Sequence, residues 1–480
     1  MKRFFTSAFL LFFITLCACT EQQDAVQPNV VFVLTDQWRA QDLGFMGNEQ
    51  VQTPAIDALT KEGVVFENAI SNIPVCTPAR ASLMTGKYPL SHGLFYNDKA
   101  LRTEENCIAE VYKENGYATA YIGKWHINGH AEGESFKKGR STPVPAHRRQ
   151  GFDYWKVNEC THSYNKSIYF DEENVKHKWE GYDAIAQTKD AIKYMRENKD
   201  NPFVLFLSYG PPHAPYNSAP KKFRQIYEDM EIKLRPNVPE SRSERAKEEI
   251  RGYYAHMSAL DYCVQELQSE IKALGLDENT IFVFTSDHGD MLHSHAQTKK
   301  QKPWEESIVV PFILKYPAKL QAGSQLTKVF SYPDIMPTLL GLSNLPIPET
   351  VQGVDYTGQL LGKEELDIDG ALITCPVPFH QWKYLNGGRE YRGIRTERYT
   401  YAKDLNGPWL LYDNQADPYQ LTNLVDNQEY ADLQMELEDK LQKMLDKRGD
   451  KFLPAEEYMK AWGYHWDNND SLKVRVTALK

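Results

Sequence analysis

The sequence predicts an α/β protein, with a large, mostly parallel sheet flanked by helices and a smaller C-terminal α+β part. Apolar, β-branched runs alternate with helical patterns over the first three-quarters of the chain, as is typical of parallel strands buried on both faces. Four runs are predicted strands: "NVVFVLT" (29–35), "YATAYIG" (117–123), "PFVLFLS" (202–208) and "TIFVFTS" (280–286). The pattern changes after about residue 361, so we divide the chain into an α/β domain over 27–365 and a smaller subdomain over 366–480.

Helix signals separate these strands. Thr53 suits an N-cap and Pro54 the first helical turn, so "TPAIDALTKEG" predicts a helix. The segment "TEENCIAEVYKENG" predicts a second helix that ends at Gly116. Two longer amphipathic patterns predict helices at "YDAIAQTKDAIKYMREN" and "ERAKEEIRGYYAHMSALDYCVQELQSEIKALG".

The C-terminal part has a different pattern. The segments "GIRTERYTYAKD" and "GPWLLYDNQADP" predict two antiparallel strands joined by a turn at Asn406-Gly407. A helix, "EYADLQMELEDKLQKMLDKRG", is predicted to follow them. We therefore expect a small antiparallel sheet with one helix packed on it.

The bulk composition indicates a folded protein that does not bind nucleic acid. The chain has 480 residues, enough for a large core, and its apolar and charged fractions of 41% and 25% are ordinary for a globular protein. Its formal net charge is −10. No surplus of basic side chains is therefore present to replace the counterions of a phosphate backbone.

The N-terminus has the pattern of an export signal. Lys2 and Arg3 precede "FFTSAFLLFFITLCAC", an apolar run too short to span a bilayer but suited to a signal peptide. Its end, "LCAC", resembles a bacterial lipobox, in which Cys19 would be lipidated. We predict a lipoprotein-type signal peptide over 1–19. The mature chain would then be a periplasmic or cell-surface lipoprotein of a Gram-negative bacterium, attached to the membrane only through its lipid.

The other cysteines do not suggest a disulfide framework. Five follow the predicted signal peptide: Cys76, Cys107, Cys160, Cys263 and Cys375. Their number is odd and their spacing is wide. Cys76 stands out because it directly precedes a predicted helix start in "VCTPARASLMTG".

Polar residues directly follow all four predicted strands. In order along the chain they are Asp36 and Gln37, Lys124 and His126, His213, and Asp287 and His288. Because ligands of open α/β sheets bind beyond the carboxyl ends of the strands, we expect these side chains to form one site. The residues after the first and fourth strands supply mainly oxygen ligands, which favours a hard divalent cation, Ca2+ or Mg2+.

Cys76 is predicted to lie at a helix N-terminus within this site. Pro78 suits the first turn, and "ARASLMTG" continues the helix to Gly86. Unpaired N–H groups and the helix dipole favour an anion at such a position. Arg80, one turn further on, can bind an oxyanion through two parallel hydrogen bonds, and Lys124 adds positive charge. With a divalent cation, this arrangement suits the hydrolysis of a phosphate or sulfate ester.

The segment "CTPARASLMTGK" resembles the signature of the formylglycine-dependent (type I) sulfatases of the alkaline-phosphatase superfamily. The resemblance extends through "VVFVLTDQWR", "YIGKWH", "GPPHAPY", "TSDHGDMLHSH", "PWEESIVVPFI" and "RGIRTERYTY". Ala79 stands where serine is common, and Gln37 stands where many members have a second aspartate. The C-x-P-x-R core is intact, so the resemblance implies an alkaline-phosphatase-like fold and an active enzyme.

In this family a maturing enzyme oxidises the signature cysteine to formylglycine (3-oxoalanine), so the resemblance implies this modification at Cys76. The hydrated aldehyde would be the nucleophile. Residue 76 would also complete a metal site with four other ligands: Asp36, Gln37, Asp287 and His288. Arg80 and Lys124 would hold the sulfate oxygens and offset the charge that develops as the ester bond breaks.

The resemblance also implies the proton-transfer groups. His126 would be the base that leads to sulfate release, and His213 would be the general acid that protonates the leaving oxygen. Counting forward from the Asp-His pair places the family's late catalytic lysine at Lys300, with Lys302 as the alternative.

The segment from about residue 131 to 179 is a long insertion rich in His, Trp, Tyr and Arg. Loops on the active face carry specificity, and aromatic rings beside polar groups suit a sugar. We predict a substrate pocket formed by Trp155, His162, Tyr164 and Asn165, with packing of the loop itself as the alternative. The run "FHQWK" (379–383) is a further candidate, with the same alternative.

Three histidines, His288, His293 and His295, also fit a zinc cluster of the kind found in two-zinc phosphodiesterases of the same superfamily. The nucleophile region matches the sulfatases instead. We therefore expect His293 and His295 to make structural hydrogen bonds.

Taken together, these features predict an exported carbohydrate sulfatase that releases inorganic sulfate. We expect exo-action on galactose- or N-acetylgalactosamine-type sulfate, with a sulfated glycan and a sulfatase-maturing enzyme as partners. One alternative is a phosphodiester or phosphonate monoester hydrolase of the same superfamily. Another is a catalytically silent glycan-binding lipoprotein, in which Cys76 would stay a thiol.

Overall fold

The computed structural model describes residues 27–130 and 140–464. The predicted signal peptide, Cys19 and the first part of the predicted insertion lie outside these residues. Within the two described ranges, no helix is both long and apolar enough to cross a bilayer. The five cysteines in these ranges are all buried free thiols.

A ten-stranded sheet forms the centre of the structure. In chain order its strands are β1 (Asn29–Asp36), β2 (Val64–Ile70), β3 (Ala118–Lys124), β4 (Tyr154–Asn158), β5 (Ile168–Phe170), β6 (Lys176–Lys178), β7 (Phe203–Pro212), β8 (Thr280–Ser286), β9 (Phe312–Lys315) and β10 (Ser324–Ser331). The spatial order is β10-β2-β9-β8-β1-β7-β3-β4-β5-β6. The central strands β8, β1, β7, β3 and β4 are parallel, while β9, β5 and β6 pair antiparallel. The predicted fold class is confirmed.

Helices cover both faces of this sheet. They are α1 (Pro54–Glu62), α2 (Cys76–Thr85), α3 (Pro89–His92), α4 (Ile108–Glu114), α5 (Asp183–Asn198), α6 (Lys221–Tyr227), α7 (Ser243–Ala273), α8 (Glu305–Ile308), α9 (Ile335–Leu342) and α10 (Thr357–Leu360). Side chains of β1 alternate between two cores: Val30 and Phe32 pack into one, and Val31 and Val33 into the other. This alternation explains why β1 is apolar at every position from Val30 to Leu34, as expected for a strand covered on both faces.

The C-terminal part contains a four-stranded antiparallel sheet, β11 (Ala371–Cys375), β12 (Tyr391–Arg395), β13 (Tyr399–Asp404) and β14 (Gly407–Asp413). Two helices follow, α11 (Ala431–Arg448) and α12 (Ala455–Ala461). On one side of the sheet, Leu437 and Leu441 of α11 join a hydrophobic cluster with Ile394 and Tyr401.

One predicted strand of this part is divided in the structure. The segment "GIRTERYTYAKD" forms β12 and β13, because the chain reverses direction between them. The Thr396 N–H donates to the Tyr399 carbonyl oxygen at 2.9 Å, and its Oγ1 accepts the Tyr399 N–H at 2.8 Å. The predicted turn at Asn406-Gly407 is present, because β13 ends at Asp404 and β14 begins at Gly407.

Candidate active site

The carboxyl ends of four neighbouring strands, β8, β1, β7 and β3, meet at one edge of the large sheet. Asp36 is the last residue of β1, and Lys124 is the last residue of β3. His213 directly follows β7, and Asp287 directly follows β8. Because parallel strands end at the same edge, the structure brings these separate segments to one buried site.

Four buried side chains of this edge offer one ligand atom each, and these atoms lie within 4.8 Å of one another: Asp36, Cys76, Asp287 and His288. Cys76 Sγ lies 3.2 Å from His288 Nε2 and 3.6 Å from Asp36 Oδ1. His288 Nδ1–H donates to the Gly289 carbonyl oxygen at 2.9 Å, so Nε2 carries the lone pair that faces the cluster. Two carboxylates and an imidazole suit a divalent cation.

Gln37 supplies the observation that tests this fit. Its Nε2 donates to Asp290 Oδ2 at 2.6 Å, and its backbone N–H donates to Asp287 Oδ1 at 3.1 Å. Its Oε1 is buried and has no hydrogen-bond partner among the described residues. A buried acceptor without a partner costs free energy, and a cation held by the adjacent cluster would satisfy it. The side chains present therefore fit the cation that the sequence predicts.

Helix α2 begins at Cys76, and every residue of the helix is buried. Val75 before it is extended, so the chain enters the helix directly at the cysteine. Thr77 holds this entry: its N–H donates to Asn97 Oδ1 at 3.1 Å, and its hydroxyl donates to the His126 carbonyl oxygen at 2.7 Å. The predicted helix N-terminus at the nucleophile position is present.

Arg80, one turn along α2, is fully buried against the same cluster. Its Nε donates to Asp287 Oδ2 at 3.1 Å, and its Nη1 donates to Ser208 Oγ at 2.6 Å. Its Nη2 lies 3.0 Å from Asp287 Oδ2. Burial lowers the pKa of Arg80, but Asp287, Tyr121, Asp36 and Cys76 together more than offset this effect and raise it above its ordinary value. The Arg80 side chain therefore stays positively charged, one helical turn after residue 76.

Two lysines complete the positive surroundings of Cys76. Lys300 Nζ lies 2.9 Å from Cys76 Sγ, and Lys124 Nζ donates to the Asp36 carboxylate. Burial raises the pKa of the Cys76 thiol, yet these two ammonium groups help to lower it well below its ordinary value. The site thus stabilises a negative charge at position 76.

The structure distinguishes Lys300 from its sequence alternative, Lys302. Lys302 Nζ donates to the Thr298 carbonyl oxygen at 2.6 Å and lies over the Trp382 ring, 5.1 Å from its centroid. Lys302 therefore stabilises a loop, and Lys300 is the lysine that contacts Cys76.

His213 follows β7 at the same edge of the sheet and is partly exposed. Its Nδ1–H donates to the Ala214 carbonyl oxygen at 2.8 Å. Burial and the Lys300 ammonium lower the pKa of His213 well below its ordinary value. The ring of His162 stacks parallel to it, with centroids 4.5 Å apart. Of the four predicted pocket residues, His162 is thus placed against a predicted catalytic group.

His126 is held by two residues that the sequence analysis missed. Its Nε2 lies 3.2 Å from Asp98 Oδ1, and Arg140 binds the same carboxylate through Nε and Nη2, at 3.0 and 3.1 Å. Neither Asp98 nor Arg140 belongs to a motif that ends a strand, so spacing gave no signal for them. Asp98 has a left-handed backbone with φ of 59°, and its carboxylate reaches His126 from this local conformation.

Trp155 does not line a substrate pocket, so that prediction was wrong. It is fully buried in β4, where its ring packs against Trp125 with centroids 5.0 Å apart. The Arg149 guanidinium covers the ring, 5.4 Å from its centroid. The reason is that β4 extends the large sheet into the predicted insertion, and its apolar side chains join the core.

Tyr164 is buried as well and is therefore corrected to a supporting role. Its hydroxyl donates to the His213 carbonyl oxygen at 2.8 Å. Its ring covers Gly210 so closely that a Cβ there would lie 2.7 Å from it. Asn165 is exposed and donates to the Ser218 carbonyl oxygen at 2.8 Å, and its contact with substrate stays a prediction.

His293 and His295 lie outside the metal cluster found among the described residues. His293 Nε2 lies 3.1 Å from Glu249 Oε2. His295 stacks on Trp304 with centroids 5.0 Å apart and contacts Asn237 through Nε2 at 3.2 Å. These are structural contacts, as expected from the sequence, and they leave His288 as the imidazole of the cluster.

Comparison with known families identifies the family of this chain. The family model described as Sulfatase matches residues 28–345, which is more than half of the chain. This chain belongs to the sulfatase family. A second model, described as N-sulphoglucosamine sulphohydrolase, C-terminal, matches residues 294–447 of the sulfatase. It covers the small antiparallel sheet and reaches back to the segment that carries Lys300.

Individual relatives agree with this assignment. An ulvan-active sulfatase from Formosa agariphila is 44% identical over 468 residues, covering 95% of this sulfatase and 89% of the relative. An endo-4-O-sulfatase from Bacteroides thetaiotaomicron is 30% identical, covering 84% and 89%. A solved structure described as the sulfatase yidJ from Bacteroides fragilis has a TM-score of 0.79 at 31% identity, covering 92% of this chain and 99% of that one. The protein is a sulfuric ester hydrolase.

Proposed function

We propose that this sulfatase hydrolyses sulfate esters on a carbohydrate, using a formylglycine formed from Cys76. One observation carries the proposal: Cys76 Sγ lies at the start of a buried helix, 2.9 Å from Lys300 Nζ and 3.2 Å from His288 Nε2. The Sγ atom marks the position that the reactive oxygens of the modified residue would take. Donors and positive charges fixed around such an oxygen stabilise the charge that develops during ester hydrolysis.

The cation would be held by residue 76 and four further side chains: Asp36, Gln37, Asp287 and His288. When bound, it supplies positive charge that lowers the pKa of a hydroxyl and withdraws electrons from the sulfate group. We propose Ca2+, with Mg2+ as the alternative, because the donors are mainly carboxylate and amide oxygens. Chelation with EDTA should lower the midpoint of thermal unfolding, and the ion that restores it identifies the preferred cation.

His126 is proposed as the base that acts on residue 76. The Asp98 carboxylate accepts from Nε2–H, so Nδ1 is the atom of the neutral ring that can take a proton. The Thr77 hydroxyl, one residue after Cys76, donates to the His126 carbonyl oxygen at 2.7 Å, and this closeness to the nucleophile position supports the role. Asp98 and Arg140 keep the ring in this orientation.

His213 is proposed as the general acid for the leaving alcohol. Because its Nδ1–H donates to a backbone carbonyl oxygen, Nε2 is the atom that can deliver a proton. A bound sulfate ester brings negative charge to the site, which favours the protonated imidazole that this transfer needs. The Lys300 ammonium helps to lower the pKa of both His213 and Cys76. The same positive charge would stabilise the negative charge of the bound sulfate ester.

The substrate proposal follows the relatives. The relative at 44% identity is named for ulvan, so we propose a sulfated polysaccharide or its fragments, with ulvan as the first candidate. Exo-action on galactose- or N-acetylgalactosamine-type sulfate stays a prediction from the sequence. Export, the lipid at Cys19 and the periplasmic or cell-surface location are proposals that rest on residues 1–19. The maturing enzyme is implied by the proposed formylglycine.

Two measurements test the function. Mass spectrometry of the peptide around Cys76, from a host with a sulfatase-maturing enzyme, should show an aldehyde in place of the thiol. The matured protein should release sulfate from ulvan oligosaccharides or from sulfated monosaccharides, and the Cys76→Ser variant should not. Turnover of a phosphodiester without sulfate release would identify the related hydrolase, and an unmodified thiol without any turnover would identify the silent glycan-binding protein.

A further inference from the structure

A cleft of about 830 Å3 opens on the surface beside the active site. Helix α6, the N-terminal part of α7 and the segment that follows β7 line it. Two of its lining residues, Ala214 and Lys299, are the chain neighbours of His213 and Lys300. The cleft therefore adjoins the two segments that carry His213 and Lys300.

Hydrogen bonds connect this cleft to the candidate cation site. Lys299 Nζ donates to the Tyr216 hydroxyl oxygen at 2.6 Å and lies 4.2 Å from the centroid of the same ring. The Tyr216 hydroxyl donates to the Asp290 carboxylate, which also accepts from Gln37 Nε2 at 2.6 Å. The inner wall of the cleft is thus held in a fixed position relative to the active site.

The cleft carries a surplus of positive charge in a chain whose net charge is −10. Five basic side chains line it, against three acidic ones. Glu249 is already compensated, because Arg245 Nε and His293 Nε2 lie 3.0 and 3.1 Å from its carboxylate oxygens. The side chains of Lys221 and Arg224 are exposed and have no hydrogen bond or ion pair with the described residues. Two cations without partners favour an anionic ligand here.

We propose that this cleft binds an anionic group on the glycan chain that adjoins the sulfated residue in the active site. The inference rests on the proposed function as a carbohydrate sulfatase. A uronic acid carboxylate and a second sulfate ester share the required chemistry, an anionic oxygen group on a sugar ring. Arg224 can bind such a group through two hydrogen bonds, while Lys221 acts as a point charge. Ala214 and Pro215 add an apolar wall for the sugar ring.

Binding to an inactive protein tests the cleft without turnover. In a Cys76→Ser background, Lys221→Ala/Arg224→Ala removes the two cations of the cleft whose side chains have no partner. Lys222→Ala/Lys247→Ala is the control of equal charge, because it removes two positive charges from α6 and α7, the helices that line the cleft, at residues that do not line it. The probes are dextran sulfate, polygalacturonate and neutral dextran, each measured at low and at high salt.

We expect the cleft variant to bind dextran sulfate, polygalacturonate or both about fivefold more weakly than the parent, with the control variant within about twofold. The difference should shrink at high salt because the groups are exposed. An effect on dextran sulfate alone identifies sulfate as the ligand group, and an effect on polygalacturonate alone identifies carboxylate. The proposal would be overturned if the two double variants bound the anionic probes with equal affinity. It would also be overturned if the parent bound neutral dextran as tightly as the anionic probes.

Kinetics of the matured enzyme separate this proposal from the proposed function. The cleft variant should raise KM for ulvan oligosaccharides about fivefold while kcat and the rate on 4-nitrophenyl sulfate stay within about twofold of wild type. If matured wild-type enzyme releases sulfate from no substrate, the proposed function fails, and the binding measurements still decide the cleft. Unchanged KM for oligosaccharides, with sulfate release intact, counts against the cleft alone.

Discussion

Lys300 and Cys76 are in direct contact, with Nζ 2.9 Å from Sγ, although 224 positions separate them in the chain. The neighbouring Gln301 accounts for this approach. Its backbone N–H donates to the Pro74 carbonyl oxygen at 3.0 Å, just before the nucleophile helix. Its side chain donates to the Phe379 carbonyl oxygen at 3.0 Å and accepts the Phe379 N–H at 3.2 Å. The C-terminal part therefore holds in place the segment that carries Lys300.

Replacement of Lys300 should lower the chemical rate. We expect Lys300→Ala to reduce kcat about 10²- to 10³-fold, because it removes a positive charge that contacts residue 76. The matched control is Lys302→Met, which keeps the buried aliphatic stem and should leave kcat within about threefold. Steady-state kinetics on one sulfate ester measure both. Equal losses in the two variants would contradict the assignment of Lys300.

Loss of the Asp98 charge should impair His126 without weakening substrate binding. We expect Asp98→Asn to lower kcat about 10- to 100-fold with KM within about twofold, because partners that orient a functional histidine contribute on this scale. Asp153→Asn, at an exposed ion pair with Lys113, is the control. A variant with full kcat would show that His126 does not need Asp98.

Tyr164 should act through the segment that carries His213. In Tyr164→Phe the ring still covers Gly210, but the hydrogen bond to the His213 carbonyl oxygen, about 1 kcal/mol, is lost. We expect kcat to fall about 3- to 10-fold with KM unchanged, and Tyr169→Phe in the same insertion to have no effect. A higher KM with normal kcat would instead restore the sequence prediction that Tyr164 contacts the substrate.

A buried ion pair should contribute to the attachment of the C-terminal sheet. Arg395 of β12 binds Glu305 through two hydrogen bonds of 2.8 and 2.9 Å. Glu305→Ala should lower the free energy of unfolding by about 3–5 kcal/mol, since it leaves the buried guanidinium unpaired. Asp439→Ala, at the exposed pair with Lys443, should cost about 1 kcal/mol or less. Urea unfolding compares the two, and similar midpoints would contradict this account.

The sequence by itself determined four neighbouring strands of the large sheet and most of the catalytic edge. Strands buried on both faces are apolar at every position, so their ends could be located, and parallel strands end together. For this reason Asp36, Lys124, His213 and Asp287 could be assigned to one site before any coordinates. Cys76 could be assigned to the start of a helix from the sequence as well, because Pro78, two residues later, suits a first helical turn.

Only the tertiary structure decided the contacts that depend on loops. Lys300 and Lys302 are two positions apart in a basic loop, and no periodicity tells which of them reaches Cys76. The carboxylate of Asp98 is placed by a left-handed backbone that spacing does not reveal. Trp155 is an aromatic residue of the kind that stacks on sugars, but it lies in the core. The reason is that β4 forms a strand of the large sheet where the sequence suggested a loop. Regular elements follow from short-range patterns, whereas these contacts follow from packing between distant segments.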